Sequence, residues 1–355
     1  PLVEIAEHWR QAGENDRYRD TLFAAAQRSM KRQDLRGARE QFRELASLLE
    51  ARSDHGELWS QAQLNLAELA WRFGEFGLAE DRFKRAVQQG AAKGPELGKA
   101  LRGLGHLLVM QGRHREAKEW YENALEWSRK HNAREDVAKA LIGLSKVHLI
   151  GGDLKAEETV SNELEAMLES LPGGEISGKV HMHLAEVARR RGQLQKRRDY
   201  LVRARQEFES ARNRQGLSDA LLNLGSALMD PAMNAPDRLS EAGKMFRQSL
   251  ELKRALGDRM GVAEAYRNLG QLEIELDHFD SGLELLGELA INTGDIARAQ
   301  AMLREARRIK ESVGTSWAVY DIRNHLAIVS MWLGEFDEAE KLLDETLRTV
   351  DEHGT

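Results

Sequence analysis

Asp219-Ala-Leu-Leu-Asn-Leu-Gly-Ser-Ala-Leu228 is an apolar helical face that carries one amide, Asn223, and one glycine, Gly225. Versions of it recur along most of the chain. Taking the leucine before the small residue as an anchor, the pattern returns at Leu66, Leu104, Leu144, Leu184, Leu224, Leu269 and Leu326. The first four intervals are 38, 40, 40 and 40 residues. A fixed period in that range marks a repeat array, in which each unit buries its apolar face only against its neighbours.

Each anchor belongs to a first helix, A. Gly74, Gly112, Gly152, Gly192 and Gly334 each lie eight residues after an anchor, where a helix commonly exits through a left-handed residue. A second helix, B, then returns with a small residue, a bulky one four later and a small one three after that. Ala79/Phe83/Ala86, Ala117/Tyr121/Ala124, Ala242/Phe246/Ser249 and Ala299/Leu303/Ala306 follow this rule. Steps of four and three share one helical face, so the alanines let helix B approach helix A while the bulky residue fills the space between them.

A leucine followed by Gly or Ala, then Gly, Ala, a ring and Ala at these offsets resembles the tetratricopeptide repeat, over roughly residues 20–353. The period is nearer 40 than the 34 residues of that family's repeat. It is therefore similar to the longer-helix variety of kinesin light chains, peptide-sensing bacterial regulators and large ATPase or kinase signalling proteins. Ile5-Ala-Glu-His-Trp-Arg-Gln-Ala-Gly13 also resembles the segment that opens such arrays in bacterial multidomain regulators. The resemblance implies an all-α, right-handed superhelical solenoid of antiparallel helix pairs, with helices A on the concave side. Counting turns gives about 18 helices. One array is expected over 1–355, with less regular helices at 1–52, regular repeats at 53–229, a loop insertion at 230–237 and C-terminal repeats at 238–355.

Three departures stand out. Glu157 and Arg197 occupy the small position of helix B, which predicts looser packing or unusual surface in their units. Asp230-Pro-Ala-Met-Asn-Ala-Pro-Asp237 enlarges one A–B turn. The interval from Leu269 to Leu326 is 57 residues, leaving an irregular helix near 279–292 that could serve as B of one unit and A of the next, or else residues missing from the chain.

Bulk properties exclude several function classes. Charged residues make up 31 % of the 355, yet the net charge is only −6, so no global signal for nucleic acid or acidic lipid exists. With no cysteine there is no disulfide framework, thiolate nucleophile or cysteine zinc site. This fits a reducing cytoplasm. No apolar run suggests a membrane span and no signal peptide opens the chain. Beginning at Pro1 without a methionine, it is expected to be a segment of a longer protein.

No catalytic signature survives inspection. Gly103-Leu-Gly105 lies within a helix with no strand before it, and His181 and His183, two apart, fall on different faces. No enzyme activity, cofactor, metal or small-molecule substrate is expected. The residue before each anchor should face the groove, together with those one turn away. These residues are Asn65, Gly103, Gly143, His183, Asn223, Asn268 and His325. In the relatives it resembles, asparagines at this site clamp a peptide backbone, since an amide offers a donor and an acceptor. Asn65, Asn223 and Asn268 match that pattern, and a role in helix stacking remains the alternative.

Nearby, Lys99, Arg102 and His106 share one helix, Lys139 and Lys146 the next, and Lys179, Arg189 and Arg190 a third, against Glu68 and Glu186. Such a basic middle would favour an acidic peptide or a terminal carboxylate. Without interleaved aromatics it does not suit nucleic acid. Trp59 and Trp127 read as core; Trp332 reads as core or, with Met331, as an apolar pocket. The expected function is protein or peptide binding by the regulatory part of a larger signalling protein. The alternative is a scaffold that self-associates or packs on a sister domain of the same chain.

Overall fold

Every regular element among the described residues is helical, as the repeating pattern requires. The computed structural model describes residues 2–32, 34–51, 56–88, 95–233, 237–276, 278–312 and 319–353. Residues 234–236 of the expected insertion lie outside that set, as do 313–318 of the long interval. Two compact units make up the chain, Pro1–Leu171 and Pro172–Thr355.

The first unit holds α1 (Leu2–Gln11), α2 (Asn15–Lys31), α3 (Leu35–Ala51), α4 (Glu57–Arg72) and α5 (Phe76–Gln88). It continues with α6 (Pro95–Met110), α7 (His114–Lys130), α8 (Arg134–Gly151) and α9 (Leu154–Met167), closed by a single 3-10 turn at Leu168–Ser170. Each helix packs on the next in sequence, and the A helices α4, α6 and α8 also touch one another in succession. The second unit holds α10 (Glu175–Arg190), α11 (Leu194–Ser210), α12 (Arg214–Leu228), α13 (Arg238–Leu256) and α14 (Arg259–Glu275). After these come α15 (Phe279–Thr293), α16 (Ile296–Ser312), α17 (Tyr320–Leu333) and α18 (Phe336–His353).

The five expected turn glycines take φ between +70° and +79°, the left-handed region in which a side chain is disfavoured. Helix starts are capped locally. The side chains of Asp153, Asn213 and Asp258 accept hydrogen bonds from the backbone N–H groups of Ala156, Gly216 and Gly261 at 3.1, 2.9 and 2.9 Å.

Glycines inside the helices are seats for the rings of helix B. A methyl group added at Gly225 would stand 2.5 Å from the Phe246 ring, and one at Gly103 2.5 Å from Phe83. Tyr121 of α7 lies between Gly105 of α6 and Gly143 of α8, and Phe208 of α11 between Gly178 of α10 and Gly216 of α12. Helix B is thus wedged between two successive A helices, with its alanines, such as Ala117 and Ala124, completely buried.

The two misfit residues do not loosen their units. Glu157 is fully buried and accepts hydrogen bonds from the hydroxyls of Ser145, at 3.2 Å, and Ser161. Arg197 is buried too, its guanidinium pushed down by burial. At Glu157 the two hydroxyls replace the alanine contact, and, being buried, neither side chain presents an unusual surface. A third buried ion, Lys253 of α13, ties three helices together. Its Nζ lies 2.6 Å from Asp219 Oδ1 on α12 and 3.4 Å from Asp258 Oδ2 at the start of α14.

The long interval contains an additional helix. α15 packs against α14, where Gly282 closely approaches the Gly270 carbonyl, and it also seats Leu303 of α16 at Gly287. It touches α17 as one A helix touches the next. α15 therefore serves as B towards α14 and as A towards α16. Trp59 is buried as core, and Trp127 is half-buried and stacked on His131 at 4.4 Å. Trp332 is not core. It is 57 % exposed, and Met110 and Ile150, at the matching positions of α6 and α8, are 60 % and 47 % exposed.

Candidate functional site

The first unit contains a cleft of about 570 Å³, formed mainly by the A helices α2, α4 and α6. Its aromatic lining comes from Phe23, Trp71 and Phe83, and its polar lining includes Gln61, Asn65, Glu68, Glu96, Lys99, Arg102 and His106. Four side chains expected from the sequence to form a site, Asn65, Lys99, Arg102 and His106, therefore share one surface. Helical spacing explains the grouping: Gln61, Asn65 and Glu68 are one turn apart on α4, as are Lys99, Arg102 and His106 on α6.

Each polar group has a defined state. Asn65 Nδ2 donates to the Gln61 carbonyl at 2.7 Å, which holds the amide and leaves Oδ1 and the second N–H without a partner among the described residues. Gln61 Nε2 donates to Glu57 Oε1 at 3.1 Å and to the buried Glu96 at 3.3 Å, linking the two walls. Arg102 pairs with Asp136 of α8 at 3.0 Å, while its Nη1 is buried without a hydrogen-bond partner. Burial pushes its guanidinium down, an effect that Asp136 opposes. His106 meets the Trp71 ring edge-on at 5.0 Å. Burial lowers its pKa and the nearby Lys146 charge adds to this, which favours the neutral imidazole. Lys99 is exposed and has no ion pair among the described residues. Glu68 is occupied by Arg72 at 2.6 Å.

The other expected residues lie outside the cleft. Lys139 pairs with Glu135 and Asp136 at 3.4 and 3.6 Å, and Lys146 is exposed on α8. In the second unit His183 is buried on α10, and Arg190 is held by Glu186 at 2.9 Å. Asn223 is exposed on α12 and repeats the Asn65 geometry, donating to the Asp219 carbonyl at 2.9 Å. Asn268 is half-buried and makes no side-chain hydrogen bond among the described residues. His325 Nε2 lies 4.0 Å from Glu288 Oε1, and its Nδ1 is buried without a partner. Gly143, expected to face the groove, instead seats Tyr121.

Sequence reasoning missed Phe23, Gln27 and Glu96. Gln61 was detectable as the residue one turn before Asn65. Glu96 carried no signal, because nothing in the local pattern shows that Gln61 reaches it. Among the described residues no cluster of three or more His, Cys, Asp or Glu could hold a metal, and no helix is long and apolar enough to cross a membrane.

Three family models, each described as a tetratricopeptide repeat, match helix pairs of the chain. They cover residues 60–85 and 281–305, 100–131, and 321–350. The chain is a tetratricopeptide-type repeat array. The matched segments are the pairs α4/α5, α15/α16, α6/α7 and α17/α18, with α15 the first helix of its pair. Solved structures share this tetratricopeptide-like architecture. A Rap protein complexed with competence and sporulation factor is 13 % identical, covers 99 % of each chain and has a TM-score of 0.53. The apo form of the quorum sensor NprR from B. thuringiensis is 13 % identical over 98 % of this chain and 95 % of its own, with a TM-score of 0.56. The Rap conjugation gene regulator of the plasmid pLS20, in complex with the Phr* peptide, is 13 % identical over 86 % and 79 %, also at 0.56. Such identities show the fold. No curated protein matches the sequence.

Proposed function

We propose that the protein is a non-enzymatic binding module whose α2–α4–α6 cleft captures a peptide or protein segment of acidic character. It would form the regulatory part of a larger cytoplasmic signalling protein. The carrying observation is the convergence in one cleft of an oriented amide oxygen at Asn65, an unpaired ammonium at Lys99 and three aromatic rings. The amide oxygen accepts a backbone N–H, the ammonium attracts a carboxylate, and the rings take apolar side chains. The Phr* complex of a protein with the same fold supports this reading.

Selection of random displayed peptides on the purified chain tests it. Enriched sequences should carry Asp or Glu. Their affinity should fall about tenfold or more in Asn65→Ala and Lys99→Glu, with an unchanged thermal melt, and should persist in Asn223→Ala. Peptides that bind both cleft variants as tightly as the parent would place the site elsewhere.

A further inference from the structure

In most pairs the bulky residue of helix B is shut in by the A helices: Phe42, Tyr121, Phe246 and Leu303 are at most 5 % exposed. Phe83 of α5 is only partly buried, and it lines the cleft with Leu64, Gly103 and Leu107. Phe83 and Tyr121 hold the same repeat position, and each presses on the glycine that precedes an anchor leucine, Gly103 or Gly143. Their surroundings differ. Beside Tyr121, Arg102 of α6 reaches Asp136 of α8 at 3.0 Å and bridges the two A helices, close enough for its charge to act on the phenol. The residue of α4 that matches Arg102, two before its anchor, is Leu64, which has no side-chain polar atom to make such a bridge. The polar link from α4 to α6, Gln61 to Glu96 at 3.3 Å, lies one turn earlier on α4 and two turns before Gly103 on α6. At Gly103 the cleft floor is therefore open down to the Phe83 ring, and a methyl group there would stand 2.5 Å from it.

The opening has an apolar floor and a charged rim. Leu64, Phe83 and Leu107 offer carbon surface, on which a polar side chain would lose its water without gaining a partner. The lining carboxylates are engaged, Glu68 by Arg72 and Glu96 by Gln61, while Lys99 has no ion pair among the described residues. Helix geometry sets the spacing. Lys99 and Gly103 are four residues apart on α6, about 6 Å along its axis. Side chains two residues apart on one side of an extended peptide are separated by about 6.6 Å.

We infer that the opening at Gly103 is an anchor subsite, and that the ligand is an acidic peptide with a large apolar side chain, such as Leu, Met or Phe, two positions from its Asp or Glu. With the carboxylate at Lys99, the apolar side chain lies over Gly103 against the Phe83 ring. The inference rests on the cleft reading above and names the sequence class that the cleft selects. Gly103 determines this specificity, because a larger residue there fills the space that the ligand's side chain takes.

The probes are the acidic peptides enriched on the parent chain in the selection above, remade synthetically with alanine at each position in turn. Those that need Asn65 and Lys99 should share a large apolar residue two positions from Asp or Glu, in either direction along the peptide. Alanine at that residue should weaken binding about tenfold or more, measured by fluorescence anisotropy, and so should Gly103→Ala. The two changes together should cost little more than either alone, because both empty the same subsite. Gly143→Ala, which crowds Tyr121 in the same way outside the cleft, should leave affinity unchanged. Where Gly103→Ala lowers the melt, Gly103→Ala with Phe83→Leu relieves the crowding and should still bind weakly. Peptides that need Asn65 and Lys99 but lack the apolar residue, or that bind Gly103→Ala as tightly as the parent, overturn this inference and leave the cleft reading intact. If no enriched peptide needs Asn65 or Lys99, both readings fall.

Discussion

Asn65 and Asn223 each use their amide N–H on the carbonyl four residues earlier, Gln61 and Asp219. The side chain is thereby held, with its amide oxygen and second N–H still available. Asp219 has a second role, because its carboxylate holds the buried Lys253 together with Asp258. Burial pulls the Lys253 ammonium down, but the Asp219 hydrogen bond and the two carboxylate charges outweigh it, so its pKa is raised. A raised folded-state pKa contributes stability that is complete below the unfolded lysine value, about 10.4, and is lost as pH rises through the folded value. Lys253→Met should therefore cost about 1.5–3 kcal/mol at pH 7, the range for hydrogen bonds to charged groups. The parent melt should hold from pH 7 to about 10 and fall above it, and Lys253→Met should lack that alkaline loss. A variant melt that falls with the parent above pH 10 would assign the loss to other groups.

At the scale of the helix, glycine has two separate uses that look alike in the sequence. Gly112 ends α6 at φ +76° with open space around it, whereas Gly143 lies inside α8 beneath the Tyr121 ring. Gly143→Ala should cost about 1–3 kcal/mol by overpacking and should be relieved by Tyr121→Leu. Gly112→Ala should cost about 1 kcal/mol through its backbone alone, with no relief from a neighbour. Urea denaturation of the two single variants and the Gly143→Ala/Tyr121→Leu double variant separates the mechanisms. The helix pairs and their turns were legible because period, turn glycine and alanine spacing are local properties of the chain. α15 was only half legible, since its Gly282 and Gly287 suit packing on both sides and spacing cannot rank the two partners. The cleft was legible as far as helical spacing reaches, which is Asn65, Lys99, Arg102 and His106. Phe23 and Glu96 join through contacts between helices, and single-helix periodicity holds no information on those. Trp332 is exposed for a local reason: six residues after the anchor leucine the A helix faces solvent, as Met110 and Ile150 show in α6 and α8.

For the whole molecule, stability is expected to be the sum of neighbouring interfaces. One apolar cluster extends from Ala6 to Leu69 in the first unit, and the second unit has its own clusters around Phe246 and around Leu303. Each unit has apolar clusters of its own, so each is expected to fold alone. Fragments 1–171 and 172–355, made separately, should both be helical by circular dichroism and should both unfold cooperatively. A fragment with random-coil dichroism would show that its core depends on the other half.

The cleft also has a place in time. Its lining runs only from Phe23 to Leu107 in a chain of 355 residues, and packing between consecutive helices is local enough to form quickly. During synthesis, domains fold from the N-terminus as they emerge. The cleft is thus assembled while α18 has yet to be translated, so the ligand proposed for it would meet a formed site on the nascent chain.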